Sequence, residues 1–366
     1  MQKLRVAFVG CGGVAAHYLS VYLNLDWVEV VAFIDSQRGT AQSVAKILGD
    51  GHTASAPLIA SDYAAALADN VDVVVINTPN HLHHAQALAA LDAGKHVLLQ
   101  KPVAPTIREA EEIANAAERA SGLSGLYMSY FDQPLLHDLK EMIAAGWFGS
   151  VGHFYARLMH RWGMVWSEQA LKGQGTWRGA AAQTGGGCFV QLAVHFIHLM
   201  EWITNDRIVH ATAVTKHLHC PGLEGEDVAA AILEFESGAL ATLDTAWCFH
   251  GEQFSIHGTE GSAEYINNRV LILESSTHSF TGRAVNYTAA PSTGALSPTG
   301  APQTTEVFPP TMGDHTNPLN QHRAFLEAVR DGVPPFVPIA SGVNDLRVVA
   351  AVYESARRGC TAAVER

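Results

Sequence analysis

The sequence predicts an α/β domain with a doubly wound parallel sheet, followed by an α+β domain with a large open, mainly antiparallel sheet. Short β-branched runs alternate with helical segments over the first third of the chain. From residue 151 on, long alternating strands follow one another, with one helix among them. The length of 366 residues, 48% of them apolar, suits two hydrophobic cores rather than one.

The first domain is predicted at residues 1–130 and opens on a β-α-β unit. Strands are expected at 4–9, 28–34, 71–77, 96–99 and 124–129, and helices at 14–25, 82–93 and 107–120. A further helix is expected at 135–145, just after the boundary. Strands that alternate with helices in this way pair in parallel, because each crossover helix returns the chain to the same end of the sheet.

The second domain is predicted at residues 131–366, with roles in substrate binding and oligomerisation. Antiparallel strands of one open sheet are expected at 151–159, 208–217, 228–236, 239–247 and 253–257, and helices at 187–203, 318–329 and 341–357. The last helix is a candidate to pack back on the first domain. Residues 276–316 are rich in Ser, Thr, Pro and Gly, which predicts long loops or an edge arm.

Composition excludes several classes of partner. The 23 Lys and Arg against 35 Asp and Glu give a net charge of −12, so a nucleic-acid partner is not expected. The five cysteines are scattered without a C-x-x-C pair, which favours a reducing cytoplasm over a disulfide framework. No cleavable leader is seen, and no stretch approaches the roughly 20 apolar residues of a membrane span. A soluble cytoplasmic protein is expected.

A G-x-G-x-x-A fingerprint follows the first strand directly and opens the first helix. Gly10 allows a tight turn, Gly12 lets a pyrophosphate approach the backbone, and the small Ala15 lets the helix pack on the strand. Gly13 and Val14 lie where the helix N-terminus would hold the phosphates. A bare turn is the alternative interpretation of these glycines.

Asp35 favours the dinucleotide interpretation. It ends the second strand, 20 residues beyond Ala15, where a carboxylate accepts hydrogen bonds from the adenosine ribose hydroxyls. NAD is therefore predicted as the cofactor. Arg38 lies close enough to pair with a 2′-phosphate, so NADP remains the less favoured alternative.

Two longer motifs identify a family. The runs NTPNHLHH at 77–84 and AGKHVLLQKP at 93–102, and later TWR at 176–178 and GGG at 185–187, closely resemble the Gfo/Idh/MocA oxidoreductases over nearly the whole chain. The resemblance implies a nicotinamide cofactor and oxidation or reduction of hydroxyl groups on sugars, inositols and related compounds. It also implies cofactor contacts from Thr78, Asn80, His83, Gln100, Lys101, Trp177 and Arg178.

Lys101 is the predicted general acid/base. It lies just past the carboxyl end of a strand, the edge at which sheets of this kind bind ligands, and a carbinol proton must leave as the hydride departs. Pro102 is expected to fix the turn, with a cis peptide bond before it as a further expectation. The resemblance makes His195, on the helix after the glycine run, a substrate ligand or the proton partner of Lys101.

Two positions depart from the family pattern, which commonly has Glu and Asp where this chain has Gln100 and Gln191. Gln100 can still hydrogen-bond a nicotinamide ribose. Gln191 lies one helical turn before His195 and is counted with the catalytic residues. Its amide can hydrogen-bond a substrate hydroxyl but cannot act as a base. The proton work therefore falls to Lys101 and His195.

Further substrate contacts are expected from Arg161 and Trp162, although an oligomer contact or a packed loop is an equal alternative, and from His198. His195 and His198 form an i, i+3 pair that could grip a metal with a third ligand from elsewhere, but no metal is predicted. The candidates for that third ligand are His160, His217, His219 and Glu226. A polar group at the penultimate helix is assigned to capping or substrate contact; it comprises His315, Asn317, Gln321 and His322.

Three functions remain open at this point. The first is an NAD-dependent dehydrogenase or reductase acting on a sugar or cyclitol carbinol. The second is an NAD-recycling glycosidase or lyase that works by transient oxidation and elimination. The third is a non-catalytic NAD or sugar sensor. The open sheet also predicts a homodimer or homotetramer.

Overall fold

The computed structural model describes residues 3–48, 56–266, 270–275 and 320–366. The chain divides into two compact units. The first contains the described residues of Met1–Asp132, Ala180–Gly186 and Gly313–Leu346, and the second those of Gln133–Gly179, Gly187–Met312 and Arg347–Arg366. The first unit is thus built from three stretches of chain, whereas the sequence prediction divides the chain once, after residue 130. The predicted domain roles stay predictions.

The first unit is a doubly wound parallel α/β sheet, as predicted. Its strands are β1 (Leu4–Val9), β2 (Val28–Ile34), β3 (Leu58–Ala60), β4 (Val73–Ile76), β5 (His96–Gln100) and β6 (Ser124–Tyr127), in the order β3-β2-β1-β4-β5-β6. Every pairing among them is parallel. The carboxyl ends of these strands therefore lie along one edge of the sheet.

Helices cover this sheet. They are α1 (Gly13–Leu23), α2 (Arg38–Ala45), α3 (Asn80–Asp92), α4 (Ile107–Arg119), the single turn α7 (Ala181–Thr184) and α9 (Gln321–Asp331). The core between sheet and helices includes Phe8, Leu19, Phe33 and Leu326, none of which is exposed. Helix α2 and strand β3 were not predicted, because both are short and weakly patterned, and α9 begins three residues later than predicted.

The second unit holds the open sheet. Its strands are β7 (Val151–Met159), β8 (Ile208–Lys216), β9 (Val228–Phe235), β10 (Leu240–Ala246), β11 (Gly251–Gly258), β12 (Gly261–Ile266), β13 (Val270–Ser275) and β14 (Ala362–Ala363), in the order β13-β12-β11-β7-β10-β9-β8-β14. The sheet is mainly antiparallel, as predicted, and β7 pairs with β10 in parallel within it. Strands β12, β13 and β14 were not predicted.

The helices of the second unit are α5 (Pro134–Ala144), α6 (Trp162–Leu171) and α8 (Cys188–Thr204), and α10 (Ser341–Arg358) begins in the first unit and continues in the second. Helix α8 packs on one face of the sheet, where Phe196 stacks on Phe254 with ring centroids 5.7 Å apart. Phe154 lies 5.2 Å from Phe235 in the same layer. These rings make the core between α8 and the strands.

The sequence predicts no stretch long and apolar enough to span a membrane, and the region around helix α8 differs from this prediction. The stretch Ala181–Thr204, which comprises α7 and α8, is long and apolar enough to span a membrane by length and composition alone, although no such stretch was expected. Within the protein, 78% of its most apolar window is buried. Burial of this kind is what a core helix shows. The predicted loop region 276–316 lies outside the described residues.

Candidate active site

The turn after β1 can only be made by glycine. Gly10 has φ of +80°, in the left-handed region. A Cβ placed on Gly10 would stand 2.7 Å from the carbonyl carbon of Asn77, which follows β4. The backbone of the turn therefore rests directly on the neighbouring strand end.

The next two glycines face open space. A Cβ on Gly12 or Gly13 would meet nothing within 4 Å. Helix α1 begins at Gly13, and no side chain caps it. Its first backbone N–H groups, which have no partner within the helix, thus point toward an open cradle, the arrangement that binds pyrophosphate. Val14 is 39% exposed at the same end.

Asp35 is held beside this turn. Its Oδ2 accepts a hydrogen bond from the backbone N–H of Cys11 at 2.8 Å, and its Oδ1 accepts one from that of Gln37 at 2.8 Å. Each carboxylate oxygen keeps a further lone pair for a ribose hydroxyl. Arg38 is exposed in the first turn of α2. Turn, helix end and carboxylate together fit an NAD molecule.

The segment after β4 makes scaffold contacts. The Thr78 hydroxyl donates to Gln86 Oε1 at 2.6 Å. Asn80 is buried, and its amide donates to the Thr184 carbonyl of α7 at 3.3 Å. Thr78 is thereby tied to a side chain of α3 and Asn80 to the backbone of α7, so any contribution of these two residues to the cofactor site includes shaping the chain around it.

His83 has no exposed surface. Its Nδ1 lies 3.0 Å from the Pro102 carbonyl and its Nε2 lies 2.9 Å from the Thr78 carbonyl. Burial lowers the pKa of His83 to about 4, although the backbone carbonyls act in the opposite direction. The ring is therefore neutral and donates through one nitrogen at a time. It joins the start of α3 to the chain just past Lys101.

Lys101 follows β5 directly and is half-buried. Gln100, the last residue of the strand, pairs with Tyr127 on β6. The Lys101–Pro102 peptide bond is cis, as the sequence analysis expected. Lys101 thus stands at the same sheet edge as Gly10 and Asp35, because β1, β2 and β5 all end there.

In the second unit, helix α8 carries the other predicted residues on one face. Gln191 and His195 are each 7% exposed, and His198 is half-buried. Their spacing of four and three residues places them on consecutive turns of the same side.

Two pairs of predicted contact residues, each with one arginine and one tryptophan, lie in the second unit. The Arg178 guanidinium lies 4.2 Å from the ring centroid of Trp177 and 4.8 Å from that of Trp166. Burial lowers the pKa of Arg178 to about 10, so it stays charged at neutral pH. Arg161 is exposed and Trp162 is 59% exposed at the start of α6, a helix that the sequence analysis had not predicted.

Glu226 has a role that the sequence analysis did not foresee. Considered there as a metal ligand, it instead accepts backbone N–H groups at the start of α8. His217, another of those candidates, has its Nε2 2.8 Å from the Cys220 carbonyl. Among the residues that the structure describes, no three His, Cys, Asp or Glu side chains are grouped to hold a metal ion.

Gln321 and His322, the described members of the polar group at the penultimate helix, make contacts within the fold. Asn320 caps α9 by accepting from the N–H groups of His322 and Arg323. Gln321 accepts from the Met128 N–H at 2.6 Å, and His322 is buried against Tyr18. His315 and Asn317 lie outside the described residues.

Comparison with family models gives two matches. Residues 4–127 match a model described as "Oxidoreductase family, NAD-binding Rossmann fold". Residues 140–364 match one described as "Oxidoreductase family, C-terminal alpha/beta domain". Between them the two matches cover most of the chain.

Individual proteins give the same picture. The chain is 30% identical over 263 residues to a 1,5-anhydro-D-fructose reductase of Ensifer adhaerens, covering 70% of this chain and 74% of the relative. It is 29% identical over 203 residues to a D-glucoside 3-dehydrogenase of Escherichia coli (strain K12), covering 55% and 54%. The fold matches a levoglucosan dehydrogenase solved with NADH at a TM-score of 0.81, with 22% identity and full coverage of both chains.

Proposed function

Since the chain belongs to the Gfo/Idh/MocA oxidoreductase family, we propose that it transfers a hydride between NAD and a hydroxyl carbon of a sugar, sugar derivative or cyclitol. One observation carries the proposal: the glycine turn, Asp35 and Lys101 all stand at the carboxyl edge of one parallel sheet. A dinucleotide cradle and a titratable amine at a single edge suit proton-coupled hydride transfer.

The proposed cofactor contacts follow from the positions of the residues. Gly10, Gly12, Gly13 and Val14 would hold the pyrophosphate at the start of α1, and Asp35 the adenosine ribose. The remaining contacts are assigned to Thr78, Asn80, His83, Gln100, Lys101, Trp177 and Arg178, with Arg38 available for a 2′-phosphate. When bound, NAD supplies the two-electron acceptor or donor of the reaction.

Lys101 is the proposed general acid/base. In oxidation its neutral amine takes the hydroxyl proton while the carbinol C–H leaves as hydride, so the alcohol becomes a ketone or aldehyde. In reduction the ammonium returns that proton. His195 is the proposed partner, with Gln191 and His198 holding hydroxyls through hydrogen bonds. Arg161 and Trp162 are proposed as outer substrate contacts.

The named relatives support a carbohydrate substrate. One is a 1,5-anhydro-D-fructose reductase and another a D-glucoside 3-dehydrogenase. We therefore propose the following probes: levoglucosan, methyl α- and β-D-glucoside and myo-inositol with NAD⁺, and 1,5-anhydro-D-fructose with NADH. Absorbance of NADH follows turnover in either direction.

The test compares wild type with Lys101→Met, His195→Asn and a control. Lys101→Met should lower kcat by more than about 10³-fold with NAD affinity within a few-fold, since general acid/base catalysis contributes roughly 10² to 10⁴-fold. Lys172→Met is the matched control, because Lys172 is an exposed lysine paired with Glu168 on α6. Full activity of Lys101→Met would overturn the assigned role.

The same assay separates the alternatives. Cleavage of a methyl glucoside without net NADH would indicate the NAD-recycling elimination mechanism. This alternative is tested because Gln100 and Gln191 stand where the family commonly has carboxylates. Tight NAD binding without turnover of any probe would indicate a sensor.

We also propose that the chain is a homo-oligomer in the cytoplasm. The sheet face opposite α8 exposes Val214 (58%), Ile232 (52%) and Leu240 (43%) on adjacent strands. An apolar face of this kind suits a second copy. The described cysteines are all unpaired, which suits a reducing compartment. Ile232→Glu should lower the mass measured by light scattering, and an unchanged mass would exclude this face.

A further inference from the structure

The start of α8 is closed by two side chains from distant parts of the second unit. The Glu226 carboxylate accepts from the backbone N–H of Gly187 at 2.9 Å (Oε2) and of Phe189 at 2.8 Å (Oε1). The Glu226 backbone carbonyl accepts from the N–H of Cys188 at 2.8 Å. The Tyr353 hydroxyl oxygen accepts a hydrogen bond from the backbone N–H of Val190 at 3.3 Å. The four N–H groups that a helix leaves unsatisfied are thereby all paired.

The two capping side chains are themselves joined. The Tyr353 hydroxyl donates to Glu226 Oε1 at 2.9 Å. Glu226 sits so close to the chain that a Cβ on Gly187 would stand 2.0 Å from its carbonyl oxygen. A carboxylate at a helix N-terminus is further stabilised by the helix dipole. The helix start therefore has little freedom to shift along its axis or to rotate.

Glu226 stands on a fixed backbone. The next residue, Asp227, is fully buried, and its carboxylate accepts from the backbone N–H groups of Leu218, His219 and Cys220 at 2.8, 2.6 and 2.7 Å. The hydrogen bonds of Asp227 hold the loop before β9, and those of Glu226 hold the helix. The acidic pair thus connects the open sheet to α8 through hydrogen bonds rather than through apolar packing alone.

The anchored end is next to the proposed substrate residues. Gln191 follows Val190 directly, and His195 and His198 lie on the next two turns of the same face. We propose that Glu226, with Tyr353, is a positioning residue that sets where Gln191 and His195 stand against the substrate. This inference rests on the proposed function. Small displacements of such groups cost much activity, since reacting groups must be held within fractions of an ångström.

The experiment uses Glu226→Gln, Tyr353→Phe and their double variant in the full chain. In Glu226→Gln an NH₂ group replaces one acceptor oxygen and faces backbone N–H groups, so the cap no longer fits. We expect KM for the sugar turned over in the probe panel to rise about fivefold or more, with NAD affinity within twofold. The double variant should be no worse than the product of the single effects, because both act on one cap.

The matched control is Tyr155→Phe. Its hydroxyl also donates to a carboxylate of the second unit, Asp244 Oδ2 at 3.1 Å, but away from α8. It should leave KM unchanged. A purely structural loss would reduce the folded fraction and hence apparent kcat, with KM for the sugar unchanged. That result in Glu226→Gln would overturn the inference.

A second measurement needs no substrate. Histidine labelled with ¹³C gives a ring resonance for His195, identified by its loss in His195→Asn. Glu226→Gln should move this resonance and Tyr155→Phe should not; an unmoved resonance would overturn the inference. If the wild-type protein turns over none of the probes, the proposed function fails instead, and the His195 resonance still tests whether Glu226 positions that ring.

Discussion

The carboxylate of Asp35 accepts a hydrogen bond from the backbone N–H of Cys11 at 2.8 Å. The acidic side chain that follows β2 is thereby tied to the glycine turn that follows β1, and the two parts of the dinucleotide cradle hold each other in place. A cradle whose parts are hydrogen-bonded to each other needs little ordering when a cofactor binds.

Replacing Asp35 with Ala should weaken NAD binding about 10 to 100-fold, because the ribose loses a charged acceptor and the turn loses its tie. Isothermal titration measures the affinity. Arg38→Ala serves as control and should leave NAD affinity within a few-fold, since its exposed guanidinium has a role only for a 2′-phosphate. Unchanged NAD affinity of Asp35→Ala would mean that Asp35 does not bind the adenosine ribose.

Two glycines of the turn should respond to alanine in opposite ways. Gly10→Ala forces a Cβ to 2.7 Å from the Asn77 carbonyl carbon at a φ of +80°. We expect a loss of folding free energy of about 3 kcal/mol or more, seen as a lower urea midpoint.

Gly12→Ala meets open space, so stability should stay within about 1 kcal/mol. NAD affinity should nevertheless fall about tenfold or more, because the methyl group occupies the approach of the pyrophosphate. Normal NAD binding by a stable Gly12→Ala variant would argue against this cradle.

His83 should make the first unit sensitive to acid. Its folded-state pKa of about 4 lies below the unfolded value of 6.5. Its contribution to stability is therefore present above about pH 6.5 and is lost as the pH falls toward 4, by roughly 2 to 3 kcal/mol between pH 7.5 and 4.5. His83→Gln should be less stable than wild type at pH 7.5, and the gap should narrow by about that amount at pH 4.5. Urea unfolding at both pH values measures it; a constant gap would contradict the assigned neutral ring.

The sequence was informative where a motif is local. The glycine turn, Asp35 and the Lys-Pro turn lie within single strand-to-helix connections, so spacing alone placed them at one sheet edge. Contacts between distant residues were out of reach. Asn80 bonds to a residue 104 positions away, Glu226 reaches Gly187 across 39, and Tyr353 reaches Val190 across 163.

Strand pairing shows the same limit. Alternation of apolar and polar residues predicts that β7 and β10 belong to a sheet, but not that they run in parallel. Helix α6 was missed because its aromatic residues, including Trp162 and Trp166, suggest a binding wall as readily as a helix, and its residues show no clear amphipathic spacing.

Asp132 should give stability a pH dependence opposite in direction to that of His83. It is 7% exposed and accepts from the Gln321 N–H at 2.6 Å and the Tyr127 hydroxyl at 3.0 Å, yet burial still raises its pKa to about 7. A folded-state pKa above the unfolded value of 3.8 means that the stabilising contribution is full below about pH 4 and is lost as the pH rises through 7. The loss amounts to roughly 3 kcal/mol between pH 4.5 and 8.

Asp132→Asn cannot ionise. Its free energy of unfolding, measured with urea, should therefore rise relative to that of wild type by about 3 kcal/mol from pH 4.5 to pH 8. The Asp69→Asn control, at an exposed carboxylate of the same unit, should show no such gain. Parallel curves for Asp132→Asn and wild type would mean that the carboxyl ionises at its ordinary pKa inside the fold.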